Sequence, residues 1–167
     1  VHLPLIGSYQ PRNAAVAITT LRVLRAKGWN VPESAIRTGL ETVQWPGRFE
    51  LLRHAPAFLL DGSHNAHGMR ATVQSIMADK DVDEMLQLLA PLAKQFVTVA
   101  AHTPRAMPAE TLAEHIRAYG CPAEAAGSIE AGVARAMELG GTGPVCALGT
   151  LYFSGDVRQA FAAQTKG

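Results

Sequence analysis

The sequence predicts an α/β domain: a mostly parallel sheet with helices on both faces. Three observations carry that expectation. Beyond residue 46, short apolar or β-rich runs alternate with helical patterns, the order that puts parallel strands in a covered sheet. Glycines close the helical runs, at Gly28, Gly120 and Gly140-Gly141. The chain has 167 residues, 48% hydrophobic and 17% charged, enough for one full domain, or one domain plus a piece of another, with a core that needs no staples.

Residues 1–12 read as loop, punctuated by Pro4, Gly7 and Pro11. Asn13 can cap a helix running to about Lys27, with Ala14, Ala17, Ile18, Leu21 and Leu24 as its apolar stripe. Lys27 suits the negative helix end and Gly28 the left-handed position after it. A second short helix starts near Pro32 in its first turn, turns Ile36 and Leu40 inward and fades before Trp45-Pro46-Gly47. That triplet marks a domain boundary near residue 46. Phe49–Arg53 and Phe58–Asp61 then read as strands around a turn at His54-Ala55-Pro56. A helix is expected from about Ala66, and another over Asp81–Gln95 interrupted at Pro91. Phe96–Ala100 reads as strand, Pro108–Tyr119 and Ser128–Leu139 as helices, Val145–Leu148 as a buried strand and Leu151–Ala162 as the last helix.

Composition excludes several classes. Fifteen Lys and Arg against fourteen Asp and Glu leave a formal charge of +1, without the basic excess of a nucleic-acid binder. No run of about 18 apolar residues exists to span a bilayer, and no signal peptide opens the chain. The first residue is Val1 rather than Met, so the given start need not be the natural one. Cys121 and Cys146 lack metal-pair spacing and read as small buried residues in a reducing compartment. A zinc site at His64 and His67 has no further ligands at suitable spacing.

In covered parallel sheets, ligands sit beyond the carboxyl ends of the strands. The richest loop there is Asp61-Gly62-Ser63-His64-Asn65-Ala66-His67-Gly68. Asp61 can accept hydrogen bonds from a sugar diol, and His64 and Asn65 can face a phosphate or a carboxylate. Equally, the loop can be a polar strand-to-helix turn whose Asp and Asn satisfy their own backbone. Arg48, in Trp45-Pro46-Gly47-Arg48-Phe49-Glu50, is either a solvated side chain or a guanidinium reaching a phosphate across a domain cleft. In Tyr9-Gln10-Pro11-Arg12-Asn13-Ala14-Ala15, Asn13 is either a helix cap or an amide that reads a base edge.

Six segments in a fixed order resemble the folylpolyglutamate synthase and dihydrofolate synthase family of the Mur ligase superfamily. They are Gln-Pro-Arg-Asn-Ala-Ala at 10–15, Trp-Pro-Gly-Arg-Phe-Glu at 45–50, Asp-Gly-Ser-His-Asn-Ala-His-Gly at 61–68, Met-Ala-Asp-Lys-Asp at 77–81, Pro-Arg-Ala-Met-Pro-Ala-Glu at 104–110 and Gly-Thr-Leu-Tyr-Phe-Ser-Gly-Asp-Val-Arg at 149–158. The resemblance implies that residues 1–45 are the C-terminal end of the central ATPase domain. It implies that 46–167 are the Rossmann-like glutamate-ligase domain, with ATP in the cleft between them. Asn13 would contact adenine, Arg48 the nucleotide and Asp61 the ribose. His64 would face the reaction cleft as the catalytic residue near glutamate, and Thr150 would help hold glutamate. The implied partners are ATP with Mg2+, L-glutamate, and folate or dihydropteroate, in a cytoplasmic monomer without nucleic acid or membrane. The implied chemistry is ligation: a carboxylate takes phosphate from ATP, and the glutamate amine displaces it from the acyl phosphate.

Two departures stand out. No phosphate-cradling G-x-x-x-x-G-K-[ST] loop occurs, since Gly140-Gly141-Thr142-Gly143 lacks the Lys. The family keeps that loop and its metal ligands in an N-terminal region, so no metal ligand is assigned here and the chain alone is expected to be inert. The segment between Ala71 and Asp79 also looks too short, with residues 71–75 running almost directly into Ile76-Met77-Ala78-Asp79-Lys80-Asp81: a strand of about 5–6 residues is expected to be missing, with a break in the numbering near 75–77. Two other readings compete: another Mur-superfamily amide ligase, such as a cell-wall precursor ligase, and a non-enzymatic α/β ligand-binding module.

Overall fold

The computed structural model describes residues 2–63, 68, 92–102, 106–149 and 151–165. The helix expected from Ala66 and the break expected near 75–77 lie outside the described residues. The helix expected over Asp81–Gln95 lies mostly outside them, and its described end, 92–95, is not helical.

The chain opens with α1 (Gln10–Ala26) and α2 (Glu33–Thr42). Asn13 does not cap α1. Pro11 sits in the first turn, where its fixed φ and missing N–H are harmless, and this moves the start back to Tyr9 as N-cap. Asn13 lies one turn inside and donates from Nδ2 to Gln10 Oε1 at 3.3 Å. At the other end, Gly28 takes φ +93 and donates to the Arg25 carbonyl at 3.0 Å, as a left-handed helix stop requires. Pro32 is the N-cap of α2 rather than a first-turn residue. The two helices are joined by Glu33, which accepts from Arg22 at 2.9 Å and Arg25 at 3.0 Å. These pairs are exposed to solvent and screened by it, so they add little to stability. The stripe on α1 is only half-buried, and Ala17 is exposed.

Strands β1 (Glu50–Arg53) and β2 (Phe58–Asp61) form an antiparallel hairpin, and β2 pairs in parallel with β5 (Val145–Leu148). The register sets Phe58 against Val145 and Asp61 against Leu148. A second parallel pair joins β3 (Phe96–Thr98) to β4 (Ala123–Ala125). Between the strands run α3 (Ala109–Ala118) and α4 (Ile129–Gly140), and α5 (Leu151–Thr165) follows β5. Ser128 caps α4 by accepting from the Ala131 N–H at 3.1 Å, satisfying one of the free donors of the first turn.

Side chains alternate along β2, so Phe58 and Leu60 share one face. That face meets Ile129 and Val133 of α4 and Phe153, Val157, Ala160 and Phe161 of α5, which together form the core. Phe58 and Phe161 hold their ring centroids 4.5 Å apart at a 49° tilt. Fully burying an aliphatic or aromatic side chain of this kind contributes roughly 1.5–3 kcal/mol, so these residues fix α4 and α5 to the sheet. A shallow, open apolar cleft lies between β3 and β5, lined by Val97, Val99, Val133, Val145 and Cys146 among others. The cysteines depart from expectation: Cys146 is exposed and Cys121 is half-buried.

Candidate functional site

Parallel pairing brings the carboxyl ends of β2 and β5 to one place, and Gly149 N–H extends the ladder by donating to the Asp61 carbonyl at 3.2 Å. Three of the sequence motifs meet here. The turn at 45–48 is closed by Arg48 N–H donating to the Trp45 carbonyl at 3.3 Å. It is tied to the end of β2 by Gly62 N–H donating to the Gly47 carbonyl at 2.8 Å. The start of α5 rests on both segments. A methyl group on Gly47 would stand 2.8 Å from Ser154 Oγ, and one on Gly62 would stand 2.3 Å from Leu151 Cδ2. The absence of a side chain at these two positions lets the 149–158 motif close onto the other two.

Asp61 is at the centre and is fully buried. Its Oδ1 accepts from Ser63 N–H at 2.7 Å and Ser63 Oγ at 2.5 Å. Its Oδ2 accepts from Phe49 N–H at 2.9 Å and from the Tyr9 hydroxyl at 3.4 Å. A carboxylate has about four acceptor sites, and all are engaged. Within the chain all four positions are thus taken, the Tyr9 contact being the longest. It staples the start of α1, the 45–50 turn and its own strand end together.

Tyr9 reports the electrostatics of this junction. Its phenol is pushed up to about 12 by burial first and by the negative charge of Asp61 second, with Arg48 opposing. The charges of Arg48 and Asp61 therefore both reach one hydroxyl. Arg48 is half-buried, and its guanidinium makes no hydrogen bond or ion pair with any described residue. Asn13, one helical turn beyond Tyr9, stands on the same side of α1, its N–H donating to the Tyr9 carbonyl at 3.2 Å. It is exposed. Arg48, Asp61 and the Asn13 turn of α1 accordingly share one region, although they are distant in sequence.

Sequence reasoning passed over Tyr9, Glu50 and Arg158. Glu50 Oε2 accepts from Gly47 N–H at 2.7 Å and from Arg158 Nη2 at 2.6 Å, across 108 positions of chain. The only signal was that Glu50 and Arg158 each close a recognised motif. His64 and Thr150 lie outside the described residues. Among the described residues no three His, Cys, Asp or Glu side chains gather in a way that could hold a metal ion.

Comparisons with known proteins point to one family. A family model described as Mur ligase, glutamate ligase domain, matches residues 47–148. A probable bifunctional folylpolyglutamate synthase/dihydropteroate synthase of Haloferax volcanii is 33% identical over 174 residues, covering 95% of this chain and 20% of that protein. Folylpolyglutamate synthase of Mycobacterium tuberculosis, solved with ADP and AMPPCP, superposes with a TM-score of 0.80 at 27% identity, covering 96% of this chain and 42% of that one. The Escherichia coli enzyme solved with DHPP and ADP superposes with a TM-score of 0.75 at 25% identity, over 97% of this chain and 41% of that one. The chain thus spans from a fifth to about two fifths of the length of these relatives.

Proposed function

The chain belongs to the Mur ligase family, whose glutamate ligase domain it carries over residues 47–148, and we propose that it is part of an ATP-dependent ligase joining L-glutamate to folate or dihydropteroate. The observation that carries this reading is Arg48: a half-buried guanidinium, fixed at a junction of three motifs and without a partner among the described residues. A planar cation held in this way suits the paired oxygens of a phosphate. Relatives solved with ADP support the assignment of a nucleotide.

A carboxylate is a poor electrophile, so amide formation needs activation. Transfer of phosphate from ATP gives an acyl phosphate, and the glutamate amine then displaces phosphate. The protein contributes positioning and neutralisation of phosphate charge. In this scheme Arg48 holds phosphate, and Asn13, exposed on α1, reads the adenine edge. Asp61 faces the ribose, where a sugar hydroxyl takes the place of the Tyr9 hydroxyl, the longest of its four hydrogen bonds. His64 and Thr150 belong to the glutamate end. Mg2+ accompanies ATP in this reading, with its ligands expected in the family's N-terminal region, and no step here runs through it. We divide the chain near residue 46, a position supported by the family match beginning at 47, and assign it to a cytoplasmic monomer. No helix among the described residues is long and apolar enough to cross a membrane.

The test is ATP-dependent glutamate ligation by the full-length gene product, with folate, dihydropteroate and a muramoyl precursor offered as acceptors. Turnover of the pterin acceptors alone supports the proposal, and turnover of the muramoyl acceptor alone overturns the substrate class. Arg48→Ala removes a charged contact worth roughly 1.5–3 kcal/mol and should weaken ATP use accordingly. The 167 residues alone should not ligate.

A further inference from the structure

The N–H groups of the residues on either side of Arg48, Gly47 and Phe49, are both held by carboxylates, and this goes with a backbone that is otherwise unfavourable. Gly47 takes φ +74 and Phe49 φ +47, the one described non-glycine residue in the left-handed region. A bulky side chain rarely stays there unless its surroundings impose it. Two acceptors impose it here. Glu50 takes the Gly47 N–H at 2.7 Å, and Asp61 takes the Phe49 N–H at 2.9 Å. Each carboxylate is fixed in turn: Glu50 by Arg158 of α5 at 2.6 Å, and Asp61 by Ser63 and Tyr9. Phe49 itself is buried at 7% exposure, so it anchors the turn while Arg48 keeps its guanidinium free.

We propose that Glu50 and Asp61 are positioning residues for Arg48, clamping the backbone on either side so that the guanidinium is aimed before nucleotide arrives. This rests on the reading of Arg48 as a phosphate ligand. It also gives Asp61 a task independent of any sugar contact. Releasing either carboxylate lets the turn relax towards negative φ and swings Arg48 away. The loss should appear in nucleotide binding, since a guanidinium that must be reordered costs affinity.

The experiment is a double-mutant cycle on the full-length ligase, with ATP KM and kcat measured for Glu50→Ala, Glu50→Gln, Arg48→Ala and the Glu50→Ala/Arg48→Ala pair. Clamping predicts that Glu50→Ala raises ATP KM about tenfold with kcat within about threefold, and adds nothing once Arg48 is gone. Glu50→Gln keeps an acceptor for Gly47 and loses the Arg158 ion pair, so it should lie between wild type and Glu50→Ala, and it serves if the alanine variant fails to fold. The same penalty with or without Arg48 refutes the clamp and leaves the nucleotide reading standing. An unchanged ATP KM in Arg48→Ala overturns both. Asp61→Asn, assayed with ATP and 3′-deoxy-ATP, completes the test. A loss shared by both nucleotides supports positioning, any extra loss with ATP reports the sugar contact, and a loss confined to ATP refutes Asp61 as a positioning residue.

Discussion

The Tyr9 phenol offers a spectroscopic test of the junction that needs no substrate. Tyr9 precedes α1, and Asp61 ends β2, 52 positions later. If the segments meet as described, the phenol ionises at about pH 12 rather than its ordinary 10.0. At pH 11 that leaves ~10% phenolate instead of ~90%, a difference readily seen in ultraviolet absorbance. The assay is an alkaline titration of the protein minus the same titration of Tyr9→Phe, which isolates this one tyrosine. Two variants apportion the causes. Asp61→Asn removes a repelling charge and should lower the midpoint, and Arg48→Ala removes an attracting one and should raise it. The sign for stability follows. The folded state holds the proton more tightly than the unfolded chain, so this stabilisation is complete below pH 10 and is lost as pH rises from there through about 12. A difference midpoint near 10 in the folded protein, unmoved by Asp61→Asn, would sink the proposed contact between the start of α1 and the end of β2.

Two further substitutions probe the packing that supports the site. Phe161→Leu keeps apolar bulk but removes the ring contact with Phe58 and the Arg53 guanidinium 5.6 Å above the ring. The aromatic pair is worth about 0.5–1.5 kcal/mol and the cation–π contact about 0.5–1, so calorimetry should show a loss of roughly 1–2.5 kcal/mol; no loss would mean that the ring geometry contributes nothing. Gly62→Ala places a methyl 2.3 Å from Leu151 Cδ2 and 2.6 Å from its Cγ. An overpacking cost of roughly 1–3 kcal/mol is expected, and a variant of unchanged melting temperature would show that α5 does not rest on this turn.

Much of the fold was legible because its strands are apolar and sharply bounded. The runs Phe58–Asp61 and Val145–Leu148 coincide with β2 and β5, and the last helix begins at Leu151 as read. β4 was not legible. It is Ala-Glu-Ala, three residues of low strand propensity, made a strand by pairing with β3 and by Ala126 N–H donating to the Thr98 carbonyl at 2.9 Å. Asn13 misled because a capping residue type stood two places after the proline that sets the start of α1. Arg48 and Asp61 stood out because each sits in a short motif at a turn or strand end, and the two segments meet at one junction. What spacing does not carry is partnership. Nothing near Glu50 announces Arg158, and nothing near Asp61 announces that Tyr9, Phe49 and Ser63 occupy its oxygens. Those contacts arise only when the parallel pairing of β2 with β5 brings α5 over the 45–50 turn.

Where nucleotide phosphate sits is measured most directly by a crystal structure of the full-length ligase with an ATP analogue. It should place the Arg48 guanidinium within hydrogen-bond distance of phosphate oxygens, with the N–H groups of Gly47 and Phe49 still on Glu50 and Asp61. A nucleotide bound with its phosphates away from this junction, and Arg48 turned to solvent, would contradict it.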